Sequence, residues 1–178
     1  MRLFIIVICG LTIAACSKNQ SGNSSRNENE LTGVGRLYNG KKIDLWKYYD
    51  KNGDTLRVEF YKPNLELGFI KHFNNNQITL REDFYEGKLS MKTAYFDNGE
   101  IRHRTGYRDT LLHGHQIMYF ENGQIKIKAQ YDNGTPIGEF SQYYQNGNLE
   151  FYSKDIRNSY GFIYDSIGTL MDSVRSPF

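Results

Sequence analysis

A chain of 178 residues has room for one ordinary domain or one elongated repeat array. Its net charge of +2, with acids and bases interspersed, offers no clustered basic face of the kind nucleic acid requires. Aromatics make up 15% of the chain, led by 14 Tyr, and 17 Gly stand against 3 Pro; strand-favouring rings with turn-favouring Gly point to an all-β protein.

The N-terminus carries an export pattern. Met1 to Ala15 reads MRLFIIVICGLTIAA: one cation (Arg2), an apolar run from Leu3 to Ile13, then small residues. That run is well short of the ~20 residues a membrane-spanning helix needs. Its end, Ile13-Ala14-Ala15-Cys16, resembles the lipobox of bacterial lipoproteins. The resemblance implies cleavage before Cys16, a diacylglyceryl thioether on its sulfur and an acylated amine. Several acyl chains anchor stably where one does not. With Cys9 leaving in the signal peptide (1–15), the mature chain keeps Cys16 alone and no intramolecular disulfide can form. Ser17 at the following position implies the outer membrane if the host is Gram-negative.

Residues 16–34 then read as the lipidated cysteine and a polar tether. Ser17 to Glu30 (SKNQSGNSSRNENE) has no apolar residue to bury, and as a flexible coil it reaches roughly 20 Å.

Repeats occupy 35–172. Segments ending in two aromatics and a turn recur: WKYYDKNGDTL (46–56), IKHFNNNQITL (70–80), TAYFDNGEI (93–101), IMYFENGQI (117–125) and SQYYQNGNL (141–149), with a degenerate FIYDSIGTL (162–170). The first position of the pair falls at Tyr48, His72, Tyr95, Tyr119, Tyr143 and Ile163, in steps of 24, 23, 24, 24 and 20. A second marker, a tyrosine before another turn, falls at Tyr38, Tyr61, Tyr85, Tyr107, Tyr131 and Tyr152 with nearly the same period. Shared periods in this range signal an array of one supersecondary unit. Each unit reads as a strand, an Asn-Gly turn and an alternating return strand such as Ile125-Lys126-Ile127-Lys128-Ala129-Gln130-Tyr131, with one apolar face. Asn-Gly at 39–40, 52–53, 98–99, 122–123, 133–134 and 146–147 suits hairpin turns that need positive φ. We therefore expect an elongated antiparallel meander of about six tandem β-hairpin repeats, held by aromatic ladders along one face, with a frayed tail over 173–178.

Gly138, Phe140, Tyr143, Tyr144, Asn146, Gly147 and Leu149 resemble the MORN-repeat variant of many bacterial proteins. Gly114, Tyr119, Phe120, Gly123 and Ile125 match that pattern, and so do Tyr95, Phe96, Gly99 and Ile101. The first copy has Trp46, Tyr48, Tyr49 and Gly53 but Asp44 near the expected Gly, and the second has Asn76-Gln77 in place of Asn-Gly. The resemblance implies a MORN-like hairpin architecture and, since some relatives are described as antitoxins, an antitoxin- or immunity-like role.

Chemistry has few footholds. His113 and His115 flank Gly114 and would share a strand face, with His103 as a third metal ligand; the plainer reading is solvent-facing histidines around the repeat glycine. His72 replaces a repeat tyrosine. Carboxylates stand singly, and neither a Gly-x-Ser-x-Gly elbow nor a phosphate-binding glycine loop is present. We expect no enzyme, no cofactor and no metal. The tyrosines are mostly packing residues of the repeat; the remainder suit a binding surface. The sequence thus points to a lipid-anchored protein-binding or scaffolding module of the bacterial envelope, contacting the membrane through its lipid and an unidentified protein partner. The alternative is a module binding glycans or lipid headgroups.

Overall fold

The computed structural model describes residues 32–157 and 160–175. The signal peptide, Cys16 and the tether as far as residue 31 lie outside the described residues, as do 176–178. The rest is the expected all-β meander, with thirteen strands among the described residues and no helix. In chain order they are β1 (Thr32–Tyr38), β2 (Lys41–Tyr49), β3 (Thr55–Tyr61), β4 (Leu67–Asn74) and β5 (Gln77–Tyr85). There follow β6 (Lys88–Tyr95), β7 (Ile101–Arg108), β8 (Leu111–Tyr119) and β9 (Ile125–Asp132). The last are β10 (Thr135–Tyr143), β11 (Leu149–Ser153), β12 (Tyr160–Tyr164) and β13 (Leu170–Arg175). They form one sheet in which spatial order equals chain order.

The sheet is longer than 35–172. Strand β1 begins at Thr32, within the stretch read as tether, because Val34 finds a ladder partner in Lys47. Strand β13 runs to Arg175, within the stretch read as frayed, because Val174 packs on the apolar cluster described below.

Turns alternate between the two rims of the sheet and are of two kinds. One rim carries two-residue turns with both residues at positive φ, as at Asn39-Gly40 (49° and 74°) and Asn133-Gly134 (45° and 83°), apart from Lys62–Glu66 and the longer β11–β12 connection; Asn75-Asn76 (49° and 60°) makes the same turn on the opposite rim. These turns match strand twist. The other rim carries Asp50–Asp54, Phe96–Glu100, Phe120–Gln124, Tyr144–Asn148 and Asp165–Thr169, each with the fourth-residue Gly N–H donating back to the first carbonyl. Here only the glycine is left-handed, so Asn98, Asn122 and Asn146 are not selected for φ. Their side chains reach the next repeat instead: Nδ2 of Asn98, Asn122 and Asn146 donates to the carbonyls of Glu121 (3.4 Å), Gln145 (3.2 Å) and Ser166 (2.7 Å). One dipeptide thus does two jobs, of which only the first was anticipated.

The β7–β8 turn places Thr110 at φ 73°, where its counterparts are Gly40, Gly87, Gly134 and Asn76. A β-branched residue there is strained, by about 1–2 kcal/mol, and Thr110 is exposed, so it recovers nothing by burial. Thr110→Gly is expected to raise stability by about 0.5–1 kcal/mol after the entropy of the unfolded glycine is counted; urea unfolding of the two proteins measures it.

Every hairpin on the aromatic rim also has a one-residue bulge in its return strand, at Leu56, Thr79, Arg102, Lys126, Glu150 and Met171. The bulge corrects two readings. Ile125 pairs with Tyr119 and Ile127 with Met118, neighbours in β8, so the run from Ile125 to Tyr131 does not lie on one face. The repeat phase is set by the turn rather than the ring pair: Tyr49, Phe73, Tyr95, Tyr119, Tyr143 and Tyr164 are equivalent, each opposite the residue just before the bulge of its return strand. Tyr48 therefore corresponds to Ala94, Met118 and Gln142, and in the first copy Asp50 stands where Phe96, Phe120 and Tyr144 stand later. The Gly-equivalent reading of Asp44 holds, since Asp44 (φ 55°) adopts the left-handed conformation of Gly114 (77°) and Gly138 (61°).

Cohesion does not come from a ladder on one face. Following the register, Tyr48, Arg57, His72, Leu80, Ala94, His103, Met118, Ile127, Gln142, Phe151 and Ile163 form one unbroken row across the sheet. This Tyr48 face holds a compact apolar cluster at its C-terminal end: Ala129, Phe140, Phe151 and Ile156, flanked by Ile127, Tyr131, Ile163 and Val174. Ile156 belongs to the β11–β12 connection, whose N–H donates to the Gly138 carbonyl (3.0 Å) and so folds that loop over the sheet. Phe140 and Phe151 meet edge to face at 5.9 Å, whereas Phe60 and Phe69 stack at 5.2 Å on the opposite face.

Candidate functional site

Toward the N-terminus the Tyr48 face is polar. The buried Glu59 carboxylate accepts from Tyr48 (2.7 Å), Tyr61 (3.0 Å) and Lys42 (3.0 Å) at one oxygen and pairs with Arg57 (3.1 Å) at the other. Lys42 also donates to the Tyr48 hydroxyl. The Tyr48 ring lies between cations, with Lys42 at 5.1 Å and Arg57 at 4.4 Å from its centre. Burial alone would raise the Glu59 pKa, but the bonds from Tyr48, Lys42 and Tyr61 outweigh it and hold the carboxyl below its ordinary 4.5. Burial would lower that of Lys42, and its bonds to Tyr48 and Glu59 reverse this to a raised value. Glu82 repeats the motif with Lys92 (3.0 Å) and His72 (3.1 Å). Every oxygen here is already partnered within the sheet, so these clusters are built for cohesion.

The opposite face is different. Register places Val34, Lys47, Val58, Lys71, Arg81, Thr93, Arg104, Ile117, Lys128, Ser141, Tyr152, Phe162 and Ser173 in one row from β1 to β13. Strand alternation then sets Tyr49, Phe73, Tyr95, Tyr119, Tyr143 and Tyr164 beside it, each two residues beyond its strand's member of the row. All six rings are half-buried, while Lys47, Arg104 and Lys128 are exposed. This Lys47 face is thus a line of cations flanked by a line of rings; the rings repeat every second strand, or about 9.5 Å, while the cations do so over β2 and β4 and again over β5, β7 and β9, with a change of phase between β4 and β5.

Of the cations, Arg81 is taken up by Asp83, which it grips at 2.6 and 2.9 Å. Lys47, Lys71, Arg104 and Lys128 have no carboxylate within 4.0 Å among the described residues. Lys47 and Lys71 overhang a pocket of about 380 Å³ lined also by Leu45, Thr55, Val58, Phe69, Phe73 and Asn76. Cations interspersed along the chain thus fall into one row on this face of the sheet. The signal was present: Val58, Arg81, Arg104, Lys128 and Tyr152 recur at steps of 23, 23, 24 and 24, the same period as the tyrosines.

The other expected site residues fall as follows. Gly53, Gly99, Gly123 and Gly147 are the left-handed turn residues, and Gly114 and Gly138 the left-handed residues within strands. Phe96, Phe120 and Tyr144 open the turns, and Trp46 packs against Gly35 on the Tyr48 face. The histidines do not converge. His103 pairs with Met118 and His115 with Gln130, on opposite faces, and His113 turns toward Asp132 at 3.2 Å. No group of three His, Cys, Asp or Glu able to hold a metal occurs among the described residues. Burial, with the Arg102 charge beside it, holds the His103 imidazole below its ordinary pKa.

The profile of the MORN repeat variant matches residues 112–133 and 136–153, so the chain carries MORN-type repeats there. No curated protein matches the chain. Among solved structures, it is similar to S. aureus TarM, as a point mutant in complex with Fondaparinux, alpha-GlcNAc-glycerol and UDP: 14% identity and TM-score 0.46, over 61% of this chain and 21% of that one. A second structure of TarM gives 14% and 0.44 over 59% and 21%, and a GtfA/B complex bound to UDP and GlcNAc gives 15% and 0.34 over 76% and 25%. The chain therefore spans a fifth to a quarter of the length of these proteins.

Proposed function

We propose that this array of MORN-type repeats is a non-enzymatic protein-binding or scaffolding module, held to a bacterial envelope membrane by lipid on Cys16. The observation that carries the binding reading is the Lys47 face: a single-layer sheet leaves it uncovered, and it presents a line of rings beside four cations that have no carboxylate partner. Rigid rings of this kind supply contact area at low entropic cost. The anchoring reading rests on the sequence Ile13-Ala14-Ala15-Cys16 behind an apolar run.

A photo-crosslinking amino acid placed at Tyr119 in the envelope of the native host should capture one defined protein. The same probe at Glu121, in a solvent-facing turn, should capture none; equal background from both positions would sink the binding reading. A secreted toxin as the captured protein would narrow the role to immunity. For anchoring, Cys16→Ser should abolish incorporation of an alkyne fatty acid and release the protein from the membrane fraction. With the wild type, sucrose-gradient fractions of a Gram-negative host should place it with the outer membrane.

A further inference from the structure

Resting on the protein-binding reading, we propose that the Lys47 face receives a partner segment in polyproline II conformation, laid across the strands, with an acidic side chain at every third residue. Three facts of the sheet lead to it. First, the face is asymmetric in charge. Between β2 and β9 its central row and the row beyond contain Lys47, Lys71, Arg81, Arg104 and Lys128 against the single carboxylate of Asp83, which Arg81 consumes. On the Tyr48 face each cation of the two clusters meets a carboxylate, Lys42 and Arg57 that of Glu59 and Lys92 that of Glu82. What the Lys47 face lacks is acid, and complementary charge is what a partner would bring.

Second, the spacing is selective. The four cations without a carboxylate form two pairs, Lys47 with Lys71 and Arg104 with Lys128, each pair two strands apart, or about 9.5 Å; Lys71 and Arg104 stand three strands apart, or about 14 Å, so each pair seats a segment of its own. A polyproline II helix advances about 3.1 Å per residue with three residues per turn, so side chains at every third position recur on one side at about 9.3 Å. A chain continuing as a β-strand would put residues of one face about 6.6 Å apart and drift out of step within one pair. Nucleic acid, with a phosphate for each 3.4 Å of strand rise, would bring about three charges for every cation offered.

Third, the ground between the cations is apolar. Val58 separates Lys47 from Lys71, and Ile117 separates Arg104 from Lys128. The rings of Tyr49, Phe73, Tyr95 and Tyr119 line the flank at the same period. Aromatic-lined grooves are the usual seat of preformed proline-rich helices, whose pyrrolidine rings pack between the aromatics. The pocket under Lys47 and Lys71, floored by Val58, Phe69 and Phe73, is one such seat.

The test is fluorescence anisotropy on the purified full chain with four labelled probes. These are a peptide of repeated Pro-Pro-Glu, its Pro-Pro-Gln counterpart, a peptide of the same composition with its glutamates adjacent, and a single-stranded oligonucleotide. Pro-Pro-Glu should bind best. The double variants Lys47→Gln with Lys71→Gln, and Arg104→Gln with Lys128→Gln, should each remove one of the two seats and halve the peptide bound per chain, and the variant carrying all four changes should weaken binding about tenfold, the sum expected of two exposed ion pairs at each seat. Lys51→Gln, in an exposed turn off the row, should leave it unchanged, and circular dichroism should show all variants folded. Equal binding of the glutamine peptide or of the adjacent-glutamate peptide overturns the proposal, as does tighter binding of the oligonucleotide. If the variant lacking all four cations still crosslinks the envelope partner through position 119, the protein-binding reading stands and this seat for it falls.

Discussion

Gly161→Ala is expected to destabilise the C-terminal end of the array by about 3 kcal/mol. A Cβ on Gly161 would stand 2.1 and 2.2 Å from two carbons of the Phe151 ring. The ring cannot swing away cheaply. It is 3% exposed and lies in the cluster with Ala129, Phe140 and Ile156, in a hairpin neighbour of β12. Displacing it forfeits the edge-to-face contact with Phe140 and opens the β11–β12 loop that Ile156 pins down. Because each hairpin leans mainly on its neighbours, the damage should stay local: hydrogen exchange should accelerate in β11 to β13 while β2 to β6 remain protected. Two comparisons separate clash from backbone strain. Gly168→Ala, at φ 93° with nothing within 4 Å of its Cβ, should cost only about 1–2 kcal/mol. Adding Phe151→Leu to Gly161→Ala should recover part of the loss, a coupling that two independent sites would not show. Uniformly additive effects would refute the account.

The second large effect is at Glu59. Glu59→Leu removes the acceptor shared by Lys42, Tyr48, Tyr61 and Arg57, and should cost about 2–4 kcal/mol. The lower end is favoured because the Lys42 and Arg57 side chains are 36% and 33% exposed, so water relieves part of their loss. Glu59→Gln keeps the shape and one carbonyl, and should cost about half as much. The pH dependence follows from the direction of each shift. A carboxyl held below 4.5 in the fold contributes stability that is fully present above 4.5 and is lost as pH falls through its lowered value. Glu82, shifted the same way by Lys92 and His72 against its burial, behaves alike. The Lys42 ammonium, raised above 10.5, contributes below that pH and loses its share as pH rises through the raised value. Urea midpoints measured across pH should therefore form a plateau with an acid shoulder, and Glu59→Gln should shrink that shoulder. An unchanged acid limb would show that Glu59 is paired no better in the fold than in the open chain.

The hairpin array was legible in the sequence because two periodic signals reinforce each other there. A turn needs residues of special φ, and rings must fall opposite one another, so both leave marks at fixed steps. What escaped notice has a common physical origin in register. A bulge inserts one residue without altering the look of an alternating run, so Ile125 and Ile127 read as one face and prove to lie on two. In the first copy Asp50 takes the place of a later ring, which slid Tyr48 into a phase it does not hold. Asn98, Asn122 and Asn146 sit in a dipeptide whose φ requirement is familiar, and that masked the bonds their amides make to the next repeat. The candidate site was hidden for another reason. Lys47, Lys71, Arg104 and Lys128 stand far apart in a nearly neutral chain and become neighbours only when strand alternation and the repeat step are imposed together.

The agreement of spatial order with chain order has a mechanical consequence. Each strand bonds only to the strands before and after it, and among the described residues no segment crosses back to clamp the ends together. Tension applied across the sheet, from one end of the array to the other, would meet the ladder one hydrogen bond at a time, as in a zip, never a whole strand in shear. The array would yield hairpin by hairpin at small force and close again in the same order. Where a globular domain resists and then fails at once, this sheet would act as a compliant link whose length follows the pull upon it.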